Sequence, residues 1–349
     1  MSNAILKGKR GIIFGALDEN SIAWKVALQA KSEGASFVLS NAPVALRMGQ
    51  INELAKECGC EVIGADATNE DAIGRVFEAK GRPADNPLIV HIESVDDMSH
   101  WAKDIPDIAY TLADVFWPGP LSLLLKKQHW VSDKVTGGHD TIVLRVPASE
   151  NFMSLIRATK KGLAAPSANK YKFISPTCAE HVLRSLDGRI AAVVDGGQSG
   201  VGIESTILDI TTPIPTIVRP GPIDDLMIEQ ALSEPVKYAD NLGVTVPGSA
   251  KQHYQPNTPV QLLSTEALSK MQLRADEGVI SHTADSINVK SKNCNVLRLP
   301  KDPAKYSAHF YSSLYQLDMQ NLRCIYLEET PSDNLWLAIN NRIGRVVAR

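Results

Sequence analysis

Long apolar runs are missing from this chain. No stretch reaches the ~18 residues that a membrane span requires, and the N-terminus lacks a signal-peptide core, so a cytoplasmic protein without a membrane partner is expected. An excess of one charge is missing too. The 36 Lys and Arg against 39 Asp and Glu leave a net charge of -3, which excludes a domain built mainly to coat nucleic acid and leaves room only for a local basic groove. Cysteine is scarce, with five residues at 58, 60, 178, 294 and 324. They form no Cys-x-x-Cys pair and no Cys/His group of zinc spacing, so neither a metal site nor a disulfide framework is expected, and the thiols should be reduced. Cys58-Gly-Cys60 has one residue between the thiols, a poor spacing for a disulfide. Internal repeats and low-complexity tracts are absent as well.

What is present is an ordinary globular composition, 44% apolar and 21% charged over 349 residues, enough for two domains with separate cores. Leu6 to Gly15 read as a short buried strand ending in glycine, Ser21 to Ala30 as the helix after it, and Ser36 to Ser40 as a second strand. That is a partial Rossmann-like strand-helix-strand unit. Ala72, Ile73, Val76 and Phe77 then make one stripe of an amphipathic helix capped by Asn69 or Thr68, which puts Lys80 at its end. Strands are expected at Leu88 to Ile92 and near Ile142 to Val146, Leu163 to Ala165, Ile190 to Val194, Ser205 to Ile210 and Ile214 to Val218. Helices fall near Val95 to Trp101, Asp107 to Phe116, Phe152 to Thr159 and Cys178 to Ser185. The mixture predicts an α/β fold with a twisted mixed sheet. Val246 to Pro259 carries several prolines and no apolar periodicity, the signature of a linker. A small C-terminal α/β domain follows, with strands at Gly278 to Ser281 and Cys324 to Leu327, a long helix from Ala304 to Gln320, and a last helix from Trp336. The expected division is 1–63, 64–235, a linker or lid at 236–259, and 260–349.

Two polar segments stand out. Lys80-Gly-Arg82-Pro, ahead of Asn86 and His91, makes a cationic fork suited to a triphosphate or carboxylate. Pro166-Ser167-Ala168-Asn169 places a hydroxyl and an amide after a short apolar run, where open α/β sheets present ligand groups. Each has a plain alternative. Lys-x-Arg can be a solvated surface pair, Ser-Ala-Asn a turn or helix cap, and His91 a core histidine.

With Phe116-Trp-Pro-Gly-Pro-Leu-Ser122, Asp140-Thr-Ile-Val-Leu-Arg-Val-Pro147, Ser175-Pro-Thr177, Asp195-Gly-Gly197, Gly202-Ile-Glu-Ser-Thr206 and Arg219-Pro-Gly221, these segments make eight ordered motifs. From about Gly64 to Arg349 the chain resembles the two-domain threonylcarbamoyl-adenylate synthases of YrdC type. The resemblance implies an enzyme that joins L-threonine, bicarbonate and ATP, with Mg²⁺ on the phosphates, releases pyrophosphate, and serves a downstream tRNA-modifying enzyme. It also allows an RNA contact. Carried over by motif, Arg82, Asn86, Thr141, Asn169, Ser175, Thr177 and Arg219 are nucleotide contacts. Lys80, His91, Arg145, Ser167 and Ser205 are threonine or carbamate contacts, with Lys80, Arg82, Ser167 and Asn169 at the chemistry. His253-Tyr254 matches the family's lid, although Ala250, Lys251 and Gln252 depart from its commoner form. Trp117 reads as a packing anchor.

The N-terminus tells a different story. Gly15-Ala-Leu-Asp-Glu-Asn-Ser-Ile-Ala23 resembles the cofactor loop of FabI-type enoyl-acyl-carrier-protein reductases, and Glu61 to Thr68 resembles that family's strand whose Asp, here Asp66, contacts adenine. The synthase family's first strand, with its Thr and Tyr, is replaced by Lys56-Glu-Cys-Gly-Cys-Glu-Val-Ile-Gly64, so a chimera is inferred. Glu57, Gly59 and Glu61 in the vacated strand would bring two carboxylates toward the anion pocket and weaken it. An inactive nucleotide- or RNA-binding module is therefore one alternative. A nicotinamide-dependent reductase is the other, but none of the eight tyrosines has a Lys four or seven positions on to complete that family's proton donor.

Overall fold

In the computed structural model the residues described are 6–7, 10–14, 21–40, 50–59, 62–63, 70–190, 192–239, 246–248, 250, 252–283 and 295–347. Their strands form three sheets. The first is parallel, β1 (Arg10–Phe14), β2 (Ser36–Ser40) and β3 (Val62–Ile63) in that order, with helices Ile22–Ser32 and Gln50–Cys58 packed through their own small core of Ala27, Leu39, Ile51 and Leu54. The reductase-like loop up to Asn20, the stretch from Gly64 to Asn69 with Asp66, Glu61, Cys60, Cys294, Ser249 and Lys251 lie outside the described residues. β3 pairs with β2, and Glu57 is exposed on its helix. The expectation that this segment replaces a synthase strand beside the anion pocket is therefore corrected, because its short strand is captured by the parallel sheet before it.

The second sheet holds β4 (Ile89–His91), β5 (Ala102–Lys103), β6 (Leu121–Lys127), β7 (Thr141–Arg145), β8 (Leu163–Ala164), β9 (Thr206–Asp209), β10 (Thr216–Arg219) and β11 (Lys237–Tyr238). Its order is β11-β10-β9-β6-β7-β4-β8, with β5 paired to β6. Parallel pairs (β4 with β7, β6 with β9) alternate with antiparallel ones (β6 with β7, β9 with β10), so the sheet is mixed. One face carries Val90, Leu123, Leu144, Leu208 and Ile217 into the main core under the helices. Trp117 packs against that core and donates its indole N–H to the Leu121 carbonyl, 2.8 Å, as an anchor should. Among the described residues, the expected strand near Ile190 to Val194 does not form. Residues 192–194 are irregular and Val194 is exposed, so the apolar run finds no sheet edge.

The third sheet is wholly parallel, with β12 (Val260–Leu263), β13 (Glu277–Ser281), β14 (Asn295–Arg298) and β15 (Cys324–Glu328) in the order β12-β15-β13-β14. Helices Pro303–Asp318 and Leu337–Val347 cover it, burying Tyr306, Phe310, Leu314, Ile339 and Ile343. Among the described residues no helix is long and apolar enough to cross a membrane.

Candidate active site

The second face of the mixed sheet is where the polar residues emerge, and the two-residue period of a strand explains how. His91 follows Ile89, Arg145 follows Val143, Ser122 precedes Leu124, and Ser205 precedes Ile207, each pair two positions apart. The apolar members form a small cluster with Val218 and with Val246 from the linker. Their polar partners gather at the same end of the sheet, since Arg145 pairs with His91 across parallel strands. Arg219 joins them through a bulge: the register between β10 and β9 shifts between Ile217 and Arg219, leaving Arg219 opposite Ile207.

Above this face lies a cavity of about 300 Å³ lined by Arg82, His91, Arg145, Ser167, Ser205, Arg219, His253 and Tyr254, with Glu204, Phe152, Pro166 and Gly248 among the other walls. Eight residues expected from the sequence thus meet in one space. Arg82 arrives by helix geometry. Helix Glu70–Lys80 ends at Gly81, whose φ of +61° turns the chain, and the Arg82 N–H closes the end on the Phe77 carbonyl at 2.9 Å. Lys80 continues the buried stripe of Ile73 and Phe77, so it is only 5% exposed. Its ammonium donates to the carbonyls of Ser167 and Asn169, tying the two segments together.

The remaining expected residues act one step back. Asn86 Oδ1 accepts from Arg82 Nη2 at 2.7 Å and so aims the guanidinium. Asn169 spends its amide N–H groups on the Lys170 and Phe173 carbonyls, 2.9 and 2.8 Å, which holds a turn rather than a ligand. Ser175 donates to Glu204 Oε1 at 2.6 Å, one residue from the cavity. Thr177 lies at the start of helix Ala179–Leu186 against His181 Nδ1, 3.2 Å. Thr141 is not brought to the cavity. It begins β7, at the opposite end from Arg145, and lines a larger, open surface depression with Lys103, Lys126, Lys127 and Trp130. Two of those lysines are already paired, Lys126 with Asp104 at 3.2 Å and Lys127 with Asp133, so the depression offers little to an anion.

Electrostatically the cavity is a cationic space short of counter-charge. Arg219 donates from Nε to the Ser205 carbonyl (2.9 Å), from Nη2 to Ser205 Oγ (2.8 Å) and from Nη1 to the Pro247 carbonyl (2.8 Å). Burial holds Arg82, Arg145 and Arg219 down to about 10, and neighbouring guanidinium charges add to this. Burial and then the Arg82 charge push Lys80 to about 7. His91, its Nδ1 3.3 Å from the Leu163 carbonyl and its ring edge-on to Phe152, is pushed by burial and Arg145 to about 3, so it is a neutral donor. His253 is pushed by burial to about 4, and its Nδ1 accepts the Tyr254 N–H at 3.0 Å, which leaves the proton on Nε2.

The sequence reading missed Glu204, Arg342, Tyr171, whose ring centre lies 6.0 Å from the Arg82 guanidinium carbon, and Arg345, whose carbonyl accepts the His253 N–H at 3.3 Å. Glu204 stood inside the Gly202 to Thr206 motif without a role, and Arg342 and Arg345 lie in a terminal helix whose pattern reads as ordinary amphipathic surface. Burial would raise the Glu204 carboxyl, but Arg342, Arg219 and Ser175 outweigh it and hold it at about 2. Among the described residues no His, Cys, Asp and Glu group could hold a metal ion.

Residues 55–221 match a family model described as Telomere recombination, and residues 223–348 match one described as Threonylcarbamoyl-AMP synthase, C-terminal domain. A shorter match to a model described as Enoyl-(Acyl carrier protein) reductase spans residues 15–86. The threonylcarbamoyl-AMP synthase of Pyrococcus abyssi is 36% identical over 81% of this chain and 86% of its own length. That of Bacillus subtilis is 34% identical over 82% and 87%. The crystal structure of P. abyssi Sua5 complexed with L-threonine superposes with a TM-score of 0.71 at 33% identity, covering 81% of this chain and 86% of that one. From residue 55 onward, the chain belongs to the threonylcarbamoyl-AMP synthase family, in the form that carries the additional C-terminal domain.

Proposed function

We propose that this chain condenses L-threonine, bicarbonate and ATP into threonylcarbamoyl-adenylate and releases pyrophosphate. The observation that carries the reading is the convergence of Arg82, Arg145 and Arg219, with Lys80 beside them, on one cavity that also holds neutral His91, Ser167 and Ser205. The substrates are anions that repel one another, and each like-charged contact at ~4 Å costs roughly 1 kcal/mol in water and several times that in a partly dry site. Fixed guanidinium groups offset that repulsion without reorganising.

The threonine amine attacks bicarbonate to give the carbamate and water. A carbamate oxygen then displaces pyrophosphate from the α-phosphate. Two roles differ from those the motifs implied: Lys80, whose charge lies beside Arg82, is assigned with it to the phosphates, with Asn86 aiming Arg82. Arg145 and His91 are assigned to the threonine end, and Arg219, bonded to Ser205 Oγ, moves from the nucleotide to the carbamate between them. No covalent nucleophile is needed, because holding the anions in line supplies the barrier reduction. Mg²⁺ would arrive on the phosphates and neutralise part of their charge. Glu204, the carboxylate in the cavity wall, is engaged by Arg342, so the protein would bind the ion through ATP. The product is an activated carbamoyl donor that a separate tRNA-modifying enzyme would consume.

The N-terminal unit reads as a reductase-derived segment fused ahead of the synthase, and none of its described residues lines the cavity. Mass spectrometry of a reaction containing isotopically labelled bicarbonate tests the proposal. A nucleotide product carrying both the label and threonine is expected; AMP alone, or unlabelled ATP recovered intact, would refute it.

A further inference from the structure

A separate groove of about 370 Å³ shares no lining residue with the anion cavity. One wall is the turn around Val201 and Ile203, and the other is the start of helix Pro303–Asp318 with the turn around Leu335. Among the described residues its charged lining is two carboxylates, Asp224 from the synthase domain and Asp302 from the C-terminal domain, and no Lys, Arg or His lines it. Each carboxylate spends one oxygen on its own helix. Asp224 Oδ1 accepts the Met227 N–H and Asp302 Oδ1 the Lys305 N–H, both at 2.8 Å. Although Lys301 and Lys305 flank Asp302 in sequence, neither carboxylate makes an ion pair among the described residues, so Oδ2 of each is left for a cation from outside.

The rim of the groove is apolar and wet. Val201 is 41% exposed and Leu335 62%, and the first turn of helix Asp225–Leu232 adds Leu226 at 59% and Met227 at 41%. Asp225 Oδ2 accepts from the Asn334 amide at 3.4 Å, which brings that turn beside Leu335. Aliphatic chains from both domains gathered around one acidic groove differ from the single exposed apolar residues found on any surface. Charge and shape then narrow the occupant. An anion would be repelled, and a purely apolar partner would strip water from two carboxylates without pairing them. A free polyamine would pair them and leave the aliphatic rim in water. A peptide with Lys or Arg next to a large apolar residue satisfies both, because the alkyl stem lies along the wall while the charged head reaches a carboxylate.

We propose that this groove docks a basic, apolar segment of a partner protein, with Lys or Arg paired to Asp224 or Asp302 and an adjacent aliphatic or aromatic side chain on Val201 and Leu335. The inner wall, Pro220 to Pro222, is one backbone thick. A Cβ on Gly221 would meet the Thr206 nitrogen at 2.3 Å, next to Ser205 of the anion cavity. A segment seated there lies behind that cavity and does not compete with its anions for Arg219 or Ser205.

The test presents a displayed library of random heptapeptides to the whole immobilised chain, with no substrate added. Enriched sequences should set Lys or Arg beside Leu, Ile or Phe. By fluorescence anisotropy at low salt, the most enriched peptide should bind about tenfold more weakly to Asp302→Asn, Asp224→Asn and Leu335→Asp than to the parent. Asn caps a helix about as well as Asp and Leu335 is exposed, so these variants should keep the fold, which thermal unfolding checks. Three results would overturn the inference: no enrichment over Leu335→Asp, enriched peptides without a basic residue, or parent-like binding by the folded variants. Full displacement of the peptide by an equal concentration of spermidine would overturn it as well, by assigning the groove to a free polyamine. Because no substrate takes part, the outcome is independent of threonine-dependent pyrophosphate release, which alone decides the synthase reading.

Discussion

Lys80 makes ATP binding depend on pH in a way an ordinary surface lysine would not. It is 5% exposed, ends the Ile73-Phe77 stripe, and has been pushed by burial and Arg82 from 10.5 to about 7. At pH 8 only about a tenth of the free protein carries the charge, by the Henderson relation. A triphosphate beside the ammonium restores the ordinary value, so binding at pH 8 should take up about 0.9 proton from buffer. Affinity should then fall roughly tenfold, or about 1.4 kcal/mol, for each pH unit above 7. The apo protein should move the other way. Because the folded value lies below the unfolded one, the unfolded chain binds the extra proton between about 7 and 10.5, and stability rises with pH across that window, by roughly 5 kcal/mol in full. Titration calorimetry with ATP at pH 8.5 in buffers of different ionisation enthalpy measures the proton, and Lys80→Met supplies the control. A dissociation constant flat from pH 7 to 9, with heats independent of buffer, would refute the reasoning.

Three further outcomes follow from the same geometry. Arg219→Lys keeps the charge but cannot reach Ser205 and Pro247 together, so kcat/KM should fall about 10²-fold in steady-state pyrophosphate release, with the fold kept. Gly248→Ala places a Cβ 2.6 Å from the Tyr254 hydroxyl at φ +84°, and should raise KM for ATP while changing the melting temperature of the mixed-sheet core little. Leu144→Ala, fully buried in the middle of β7, should cost about 2 to 5 kcal/mol by denaturant titration and leave the kinetics of the surviving folded fraction unchanged.

The sequence carried the fold where local pattern and tertiary position agree. Helix Asp107–Phe116 and strand Ser36–Ser40 form where periodicity placed them. β6 was not read as a strand, although it is the centre of the mixed sheet. Its Leu121-Ser-Leu-Leu-Leu run packs on both faces and so shows no alternation. The short β5 and β11 are made by their partners rather than by their own residues. In the site, motif order was enough to gather Arg82, His91, Arg145, Ser167, Ser205 and Arg219. It could not separate Asn86 and Asn169, which orient other groups, from residues that face the cavity. Glu204 and Arg342 were invisible for a simpler reason. They lie 138 positions apart, and nothing local marks either as one half of a buried pair.

The most direct measurement is pyrophosphate release from ATP by the whole chain, with threonine and bicarbonate each present or withheld. The account predicts release that requires both, and that disappears in a chain with Arg145→Met. Release that ignores threonine, or none under any combination while ATP still binds, would contradict it.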